Sequence, residues 1–184
     1  NQYIPYYLGI GLKRIKDNSI PIVAKYFFSS ADALAAFFLA YRGIAFSLGL
    51  IRIIEAVINN RQHLKTIETM SLKFKLIVAL TVQLISVIFS IVLQVWSGIK
   101  NIDLFYNLLL SLLVYPITFG ILERSKAYSK YDANAVNISI ISYLVVLIIG
   151  LCLVRLLIKD SEIGFSIILI LSELAVLVTL INIS

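Results

Sequence analysis

Residues 76–99 run for 24 positions without one charged side chain. As a helix that stretch rises about 36 Å, more than the roughly 30 Å of hydrocarbon in a bilayer. Residues 104–122 and 133–154 repeat the feature over 19 and 22 positions. A water-soluble fold of this size buries only about 70% of the surface of its unfolded chain, so its outside must be largely polar. The sequence has little to build such an outside from: 60% of its 184 residues are hydrophobic and 14% are charged, against about 25% charged in an ordinary soluble domain. A soluble enzyme is therefore excluded. So is an intrinsically disordered chain, which needs low hydrophobicity and high charge. The ten-residue alternating blocks of a membrane β-barrel are absent from the sequence.

Two further runs reach crossing length around one interior charge each. Residues 33–51 carry Arg42 at their midpoint, and residues 163–183 carry Glu173 at theirs. Ser30 and Ser161 stand just ahead of these runs as N-caps. The first segment, residues 4–28, has the length of a crossing but holds Lys13, Arg14, Lys16, Asp17 and Lys25. At 100° per residue, Leu8, Leu12, Ile15, Ile22 and Tyr26 gather on one face. Lys13, Arg14, Asp17, Asn18 and Lys25 gather on the other, with Lys16 at the margin. Such a helix either lies flat in the interface, basic face toward the headgroups, or crosses with its polar face on a water-filled cavity and a bend at Pro21. The expected fold is all-α: a polytopic, six-helix transmembrane bundle forming a single lobe over residues 1–184, with helices near 4–28, 31–58, 72–97, 103–123, 133–157 and 162–183.

The connections set an expected orientation. Arg61, Lys65, Lys73, Lys75, Arg124, Lys126 and Lys130 fall in the 59–75 and 123–132 connections, while the opposite side holds at most Lys25, Lys100, Arg155 and Lys159. The richer side is expected to be cytoplasmic, and both ends of the chain with it, in the cytoplasmic membrane. The chain opens on Asn1 without the basic start of a secretory signal, so it is expected to be a piece of a longer protein. In so apolar a chain the net charge of +6 points to lipid headgroups rather than nucleic acid.

Few residues offer chemistry. Cys152 is the single cysteine and His63 the single histidine, so no disulfide framework, metal site or cofactor is expected. No Gly-rich phosphate loop or nucleophile elbow appears, and no residue is assigned as catalytic; the chain is not expected to be an enzyme. Gln83, Ser86, Ser90 and Gln94 form a polar stripe at helical spacing, which reads as an interhelical seam. Pro116 is expected to kink the fourth span. Asn137-Ile-Ser139 and Asn182-Ile-Ser184 match the glycosylation pattern but fall at or inside helices and read as chance matches.

The charges at bilayer depth are the exception. Arg42 at midspan costs about 2.5–3.5 kcal/mol on insertion scales unless it is paired or hydrated, and Gly43 and Gly49 beside it leave room for close helix packing. Glu173 sits at a similar depth, so an Arg42–Glu173 pair is geometrically open, as is a lone coupling acid. Lys13, Arg14, Lys16 and Arg42 outnumber Asp17 and Glu173 there, an excess suited to an anionic ligand such as phosphate.

The stretch from Val23 through Lys25 and the run Phe27-Phe28-Ser29-Ser30-Ala31-Asp32-Ala33-Leu34-Ala35-Ala36-Phe37-Phe38 to Arg42 resembles the polysaccharide flippases of the multidrug/oligosaccharidyl-lipid/polysaccharide export superfamily, which move O-antigen and related repeat units in building the cell envelope. Residues 112–132, a Pro-containing helix running into a basic loop, are similar to the same family. The resemblance covers the whole chain as helices seven to twelve, the C-terminal lobe of a twelve-helix or larger transporter. It implies a cationic cavity that alternates its access, with an oligosaccharide on a polyprenyl diphosphate as cargo and Arg14, Lys25 and Arg42 facing it. Lys13 joins them as a substrate-binding cation, and Asp17 and Glu173 are the coupling or pairing acids. It further implies that residues 4–28 cross, and that an N-terminal lobe or a partner chain completes the cavity. The rival expectations are a cation-coupled small-molecule exporter of the same superfamily and a non-transporting membrane subunit or scaffold.

Overall fold

The computed structural model describes residues 3–59, 72–99, 102–129, 133–157 and 161–183. Among them the regular structure is entirely helical: α1 (Tyr3–Ala24), α2 (Ala31–Asn59), α3 (Leu72–Trp96), α4 (Leu104–Ser111), α5 (Val114–Ser129), α6 (Ala133–Leu157) and α7 (Ser161–Ile183). Five stretches, Ala31–Ile53, Leu72–Trp96, Leu104–Ile121, Ala133–Leu157 and Glu162–Ile183, are long and apolar enough to cross a membrane. The surface agrees with that reading. Ile77, Ile88, Leu156 and Trp96 are 61–86% exposed, while Ser47, Ser90, Gln94 and Asn107 are buried, the reverse of a soluble fold. The chain is a multi-pass, all-helical membrane protein. The sixth expected span, α1, has the length at 22 residues but includes Lys13, Arg14, Lys16 and Asp17.

Local chemistry fixes the helix ends. The Ser30 hydroxyl accepts from the Ala33 amide at 3.1 Å as α2 opens, the cap expected from sequence. α3 closes with the Ile99 amide on the Gln94 carbonyl and the Gly98 amide on the Val95 carbonyl, both at 3.1 Å. Gly98 holds φ at 81°, the left-handed position that such a closure requires. The Asp103 carboxylate caps α4 by accepting from the Tyr106 amide at 3.0 Å.

The fourth span departs from a single helix over 103–123. It is broken at Leu112 and Leu113, between α4 and α5. Pro116 has no N–H, and its ring would strike the carbonyl of Leu112 one turn earlier. The chain answers by tightening: Leu112, Leu113 and Tyr115 each bond three residues back, at 3.1–3.2 Å. α5 restarts with Pro116 in its first turn and continues to Ser129, so most of the expected 123–132 connection is helix, in keeping with the helix-forming Glu123 to Ala127. Arg61, His63 and Lys65, with Lys100, Lys130 and Lys159, lie outside the described residues.

The helices fall into two units. One comprises Asn1–Leu34 and Glu123–Ser184, and in it α6 packs against both α7 and α1. The approach of α7 to α6 is close at Gly150, where a β-carbon would stand 2.6 Å from the Ile168 side chain. Phe165, fully buried on α7, meets the rings of Phe27 and Phe28 at 5.4 and 5.8 Å.

The other unit is Ala35–Leu122. Here the polar stripe of α3 is the seam the sequence suggested. Asn107 Oδ1 accepts from Gln94 Nε2 at 2.8 Å and from the Ser90 hydroxyl at 2.5 Å, and Asn107 Nδ2 donates to the Asp103 carbonyl at 2.8 Å. Gln83 donates to Ser111 at 3.0 Å and accepts from the Tyr115 hydroxyl at 2.8 Å. Asn107→Leu would leave Ser90 and Gln94 buried without their shared acceptor. It is expected to cost about 2 kcal/mol, read as a lower temperature at which the detergent-purified protein stops being monodisperse.

Candidate functional site

The first unit builds its polar centre around α1. At one end, Asn137 Nδ2 near the start of α6 donates to the Pro5 carbonyl at 2.8 Å. Gly9 permits that approach, since a β-carbon there would stand 2.6 Å from Asn137 Oδ1. At the other end, Arg155 in the last turn of α6 donates to the Tyr26 carbonyl at 3.1 Å. α1 and α6 therefore run parallel along about 27 Å of α6. Just beyond, the amide and hydroxyl of Ser29 both donate to Glu162 at the start of α7, at 3.2 and 2.8 Å.

Between these ends lies an ion pair. Lys16 Nζ is 2.5 Å from Glu173 Oε1, with the two side chains 9% and 6% exposed. The same ammonium sits 4.2 Å from the centroid of the Tyr143 ring, which is fully buried on α6. The ring's negative face adds to the attraction of the carboxylate. Glu173 Oε2 is buried and has no hydrogen-bond partner among the described residues. On α1 the pair is framed by Leu12, packed on Ala135, Val136 and Ile140, and by the Ser19 hydroxyl, which donates to the Lys16 carbonyl at 2.8 Å.

This corrects two expectations. Glu173 pairs with Lys16 and not with Arg42, which belongs to the other unit and is exposed. Lys16 is also no marginal residue of α1 but the buried one. The packed stripe of α1 is Gly9, Leu12, Lys16, Ile20 and Ala24, at helical spacing between the two faces read from sequence. The apolar face points outward instead: Leu8, Ile15, Ile22 and Tyr26 are 54–71% exposed. Lipid tails are as apolar as a protein core, so apolarity does not mark the packed side of a membrane helix.

The remaining candidates are on the surface. Lys13, Arg14 and Asp17 share the outward polar side of α1, and Lys25 lies in the turn that follows. All four, like Arg42, are exposed, and none forms an ion pair among the described residues. No family model, curated protein or solved structure matches the chain.

Among the described residues no cluster of His, Cys, Asp and Glu could hold a metal ion. Asn137, whose surrounding sequence matches the glycosylation pattern, is buried with its amide committed to Pro5. Sequence reasoning missed Asn137, Tyr143 and Arg155 as partners of α1. One signal was available: Asn137 and Arg155 stand 18 positions apart, five full helical turns, and so share one side of α6.

Proposed function

We propose that the chain is a lobe of a flippase that moves a polyprenyl-diphosphate-linked oligosaccharide across the cytoplasmic membrane. The observation that carries this reading is how the outward surface of α1 is divided. One side presents Leu8, Ile15 and Ile22, and the other presents Lys13, Arg14, Asp17 and Asn18. A helix so divided suits hydrocarbon on one side and water on the other. Lys16 is compensated within the chain, whereas Lys13, Arg14, Lys25 and Arg42 remain available to an anion. A diphosphate is a natural partner for such donors, through charge-assisted hydrogen bonds with Lys and Arg.

In this mechanism the cations hold the diphosphate, a second lobe or partner chain closes the cavity, and rocking of the lobes exchanges access between the two sides. The sugar follows through the polar interior, and no bond is made or broken. Parity supports the topology: α1 and α6 run in the same direction, which requires an odd number of crossings between them, and residues 31–121 supply three stretches of crossing length. With the basic 59–75 connection inside, both ends of the segment are cytoplasmic.

Arg42→Gln in the complete transporter is expected to cut glycan export at least tenfold at unchanged protein level, a loss of about one charge-assisted hydrogen bond to the cargo. Intact export with a weakened complex would favour the scaffold reading and remove Arg42 from the cavity. Loss of small-molecule export instead would favour the cation-coupled exporter.

A further inference from the structure

We infer that α1 is a conditional transmembrane helix, held across the membrane by its Lys16–Glu173 pair. Alone it is a poor span. It carries four charged residues in 22 and is absent from the five stretches apolar enough to cross. Yet it follows α6 from Pro5 opposite Asn137 to Tyr26 opposite Arg155, and α6 is among the most apolar of those five. A helix lying in the plane of the interface cannot accompany a crossing helix from end to end.

What separates an isolated α1 from the seated one is the treatment of a single charge. Lys13, Arg14 and Asp17 keep the outward polar side whether or not α1 is packed. Lys16 points into the packed side, where its side chain is only 9% exposed. Left unpaired at midspan, such a lysine disfavours crossing by about a hundredfold. Glu173 removes that penalty with a counter-charge, and the Tyr143 ring adds its face. The dependence is mutual, because Glu173 lies at the middle of α7 and would be equally stranded. Almost the whole of residues 1–184 separates the two, so α1 is fixed only once α7 has been made. This is independent of what cargo, if any, the protein moves.

The test is topological and uses the full chain in its native membrane, with Cys152→Ser to remove the native thiol. Single cysteines placed at Gln2 and at Asp32 are labelled with a membrane-impermeant maleimide from either side. In the otherwise unaltered chain the two positions are expected on opposite sides. Glu173→Leu is expected to shift Gln2→Cys to the side of Asp32→Cys, changing its labelling ratio about a hundredfold. Lys16→Leu and Lys16→Leu/Glu173→Leu are expected to keep opposite-sided labelling, because each removes the lysine that opposes crossing. Same-sided labelling without the Glu173 substitution, or unchanged labelling in Glu173→Leu, overturns the inference. Should Glu173→Leu fail to accumulate, the exchange Lys16→Glu/Glu173→Lys decides. It must restore both protein level and opposite-sided labelling, and failure to do so overturns the inference equally.

Discussion

Glu173→Leu is expected to cost the folded protein about 3–5 kcal/mol, and Lys16→Leu/Glu173→Leu to recover most of that loss. The asymmetry follows from where the charges sit. With both present, each compensates the other at 2.5 Å, in side chains less than a tenth exposed. Removing the carboxylate leaves a buried ammonium beside the Tyr143 ring, without the counter-charge that Glu173 supplies. Removing both leaves two leucines of suitable volume between α1, α6 and α7, and desolvation of the ion pair no longer has to be offset. Lys16→Leu alone strands Glu173, whose Oε2 already lacks a hydrogen-bond partner, and should cost a comparable amount. Thermal challenge of the detergent-purified protein, scored as the fraction remaining monodisperse, gives the four corners of the cycle. A coupling of several kcal/mol is expected; additive single effects within about 0.5 kcal/mol would mean that the pair contributes nothing.

Much of the fold was legible because the membrane simplifies it. Backbone polar groups in hydrocarbon must bond within their own segment, so a long uncharged run has little choice but to be a helix. The bounds of α2, α3, α6 and α7 follow from that, and the break near Pro116 follows from the missing amide. Lateral neighbours were not legible. Glu173 stood out by its depth, yet depth alone pointed to Arg42 as its partner or to no partner at all, and not to Lys16. A helical wheel puts Lys16 at the margin, because it sorts α1 into only two faces, apolar and polar. In α1 three surfaces meet, with Ile15 outward to lipid, Arg14 outward on the polar side and Lys16 inward. The inward one is marked by small and mixed residues, Gly9, Leu12, Lys16 and Ala24, and not by hydrophobicity. Nor does the sequence reveal that residues 35–122 form one unit inserted between the two segments of the other, since long-range pairing leaves no trace in local pattern.

Gly43→Leu is expected to destabilise the second unit by about 3 kcal/mol, while Gly49→Ala leaves stability within about 0.5 kcal/mol. Both glycines lie on α2 within two turns of each other and read alike in sequence. The structure separates them. A β-carbon at Gly43 would stand 3.1 Å from the Ser86 carbonyl oxygen, the Ser90 amide nitrogen and Ser90 Cβ. The first two are backbone atoms of α3 and cannot rotate aside, so even alanine must push the helices apart by a few tenths of an ångström. Leucine adds three more carbons in the same direction. That displacement would reach the buried network through Ser90, whose hydroxyl donates to Asn107, and would loosen the Phe46–Phe89 stack, whose centroids are 4.4 Å apart. Around Gly49 nothing lies within 4 Å of an added β-carbon, and alanine there should if anything favour the helix. The same thermal challenge ranks the variants, with Gly43→Ala between the two at about 1 kcal/mol. Equal stability of Gly43→Leu and Gly49→Ala would mean that α2 does not approach the α3 backbone at Gly43, and the contact with Ser86 and Ser90 would have to be abandoned.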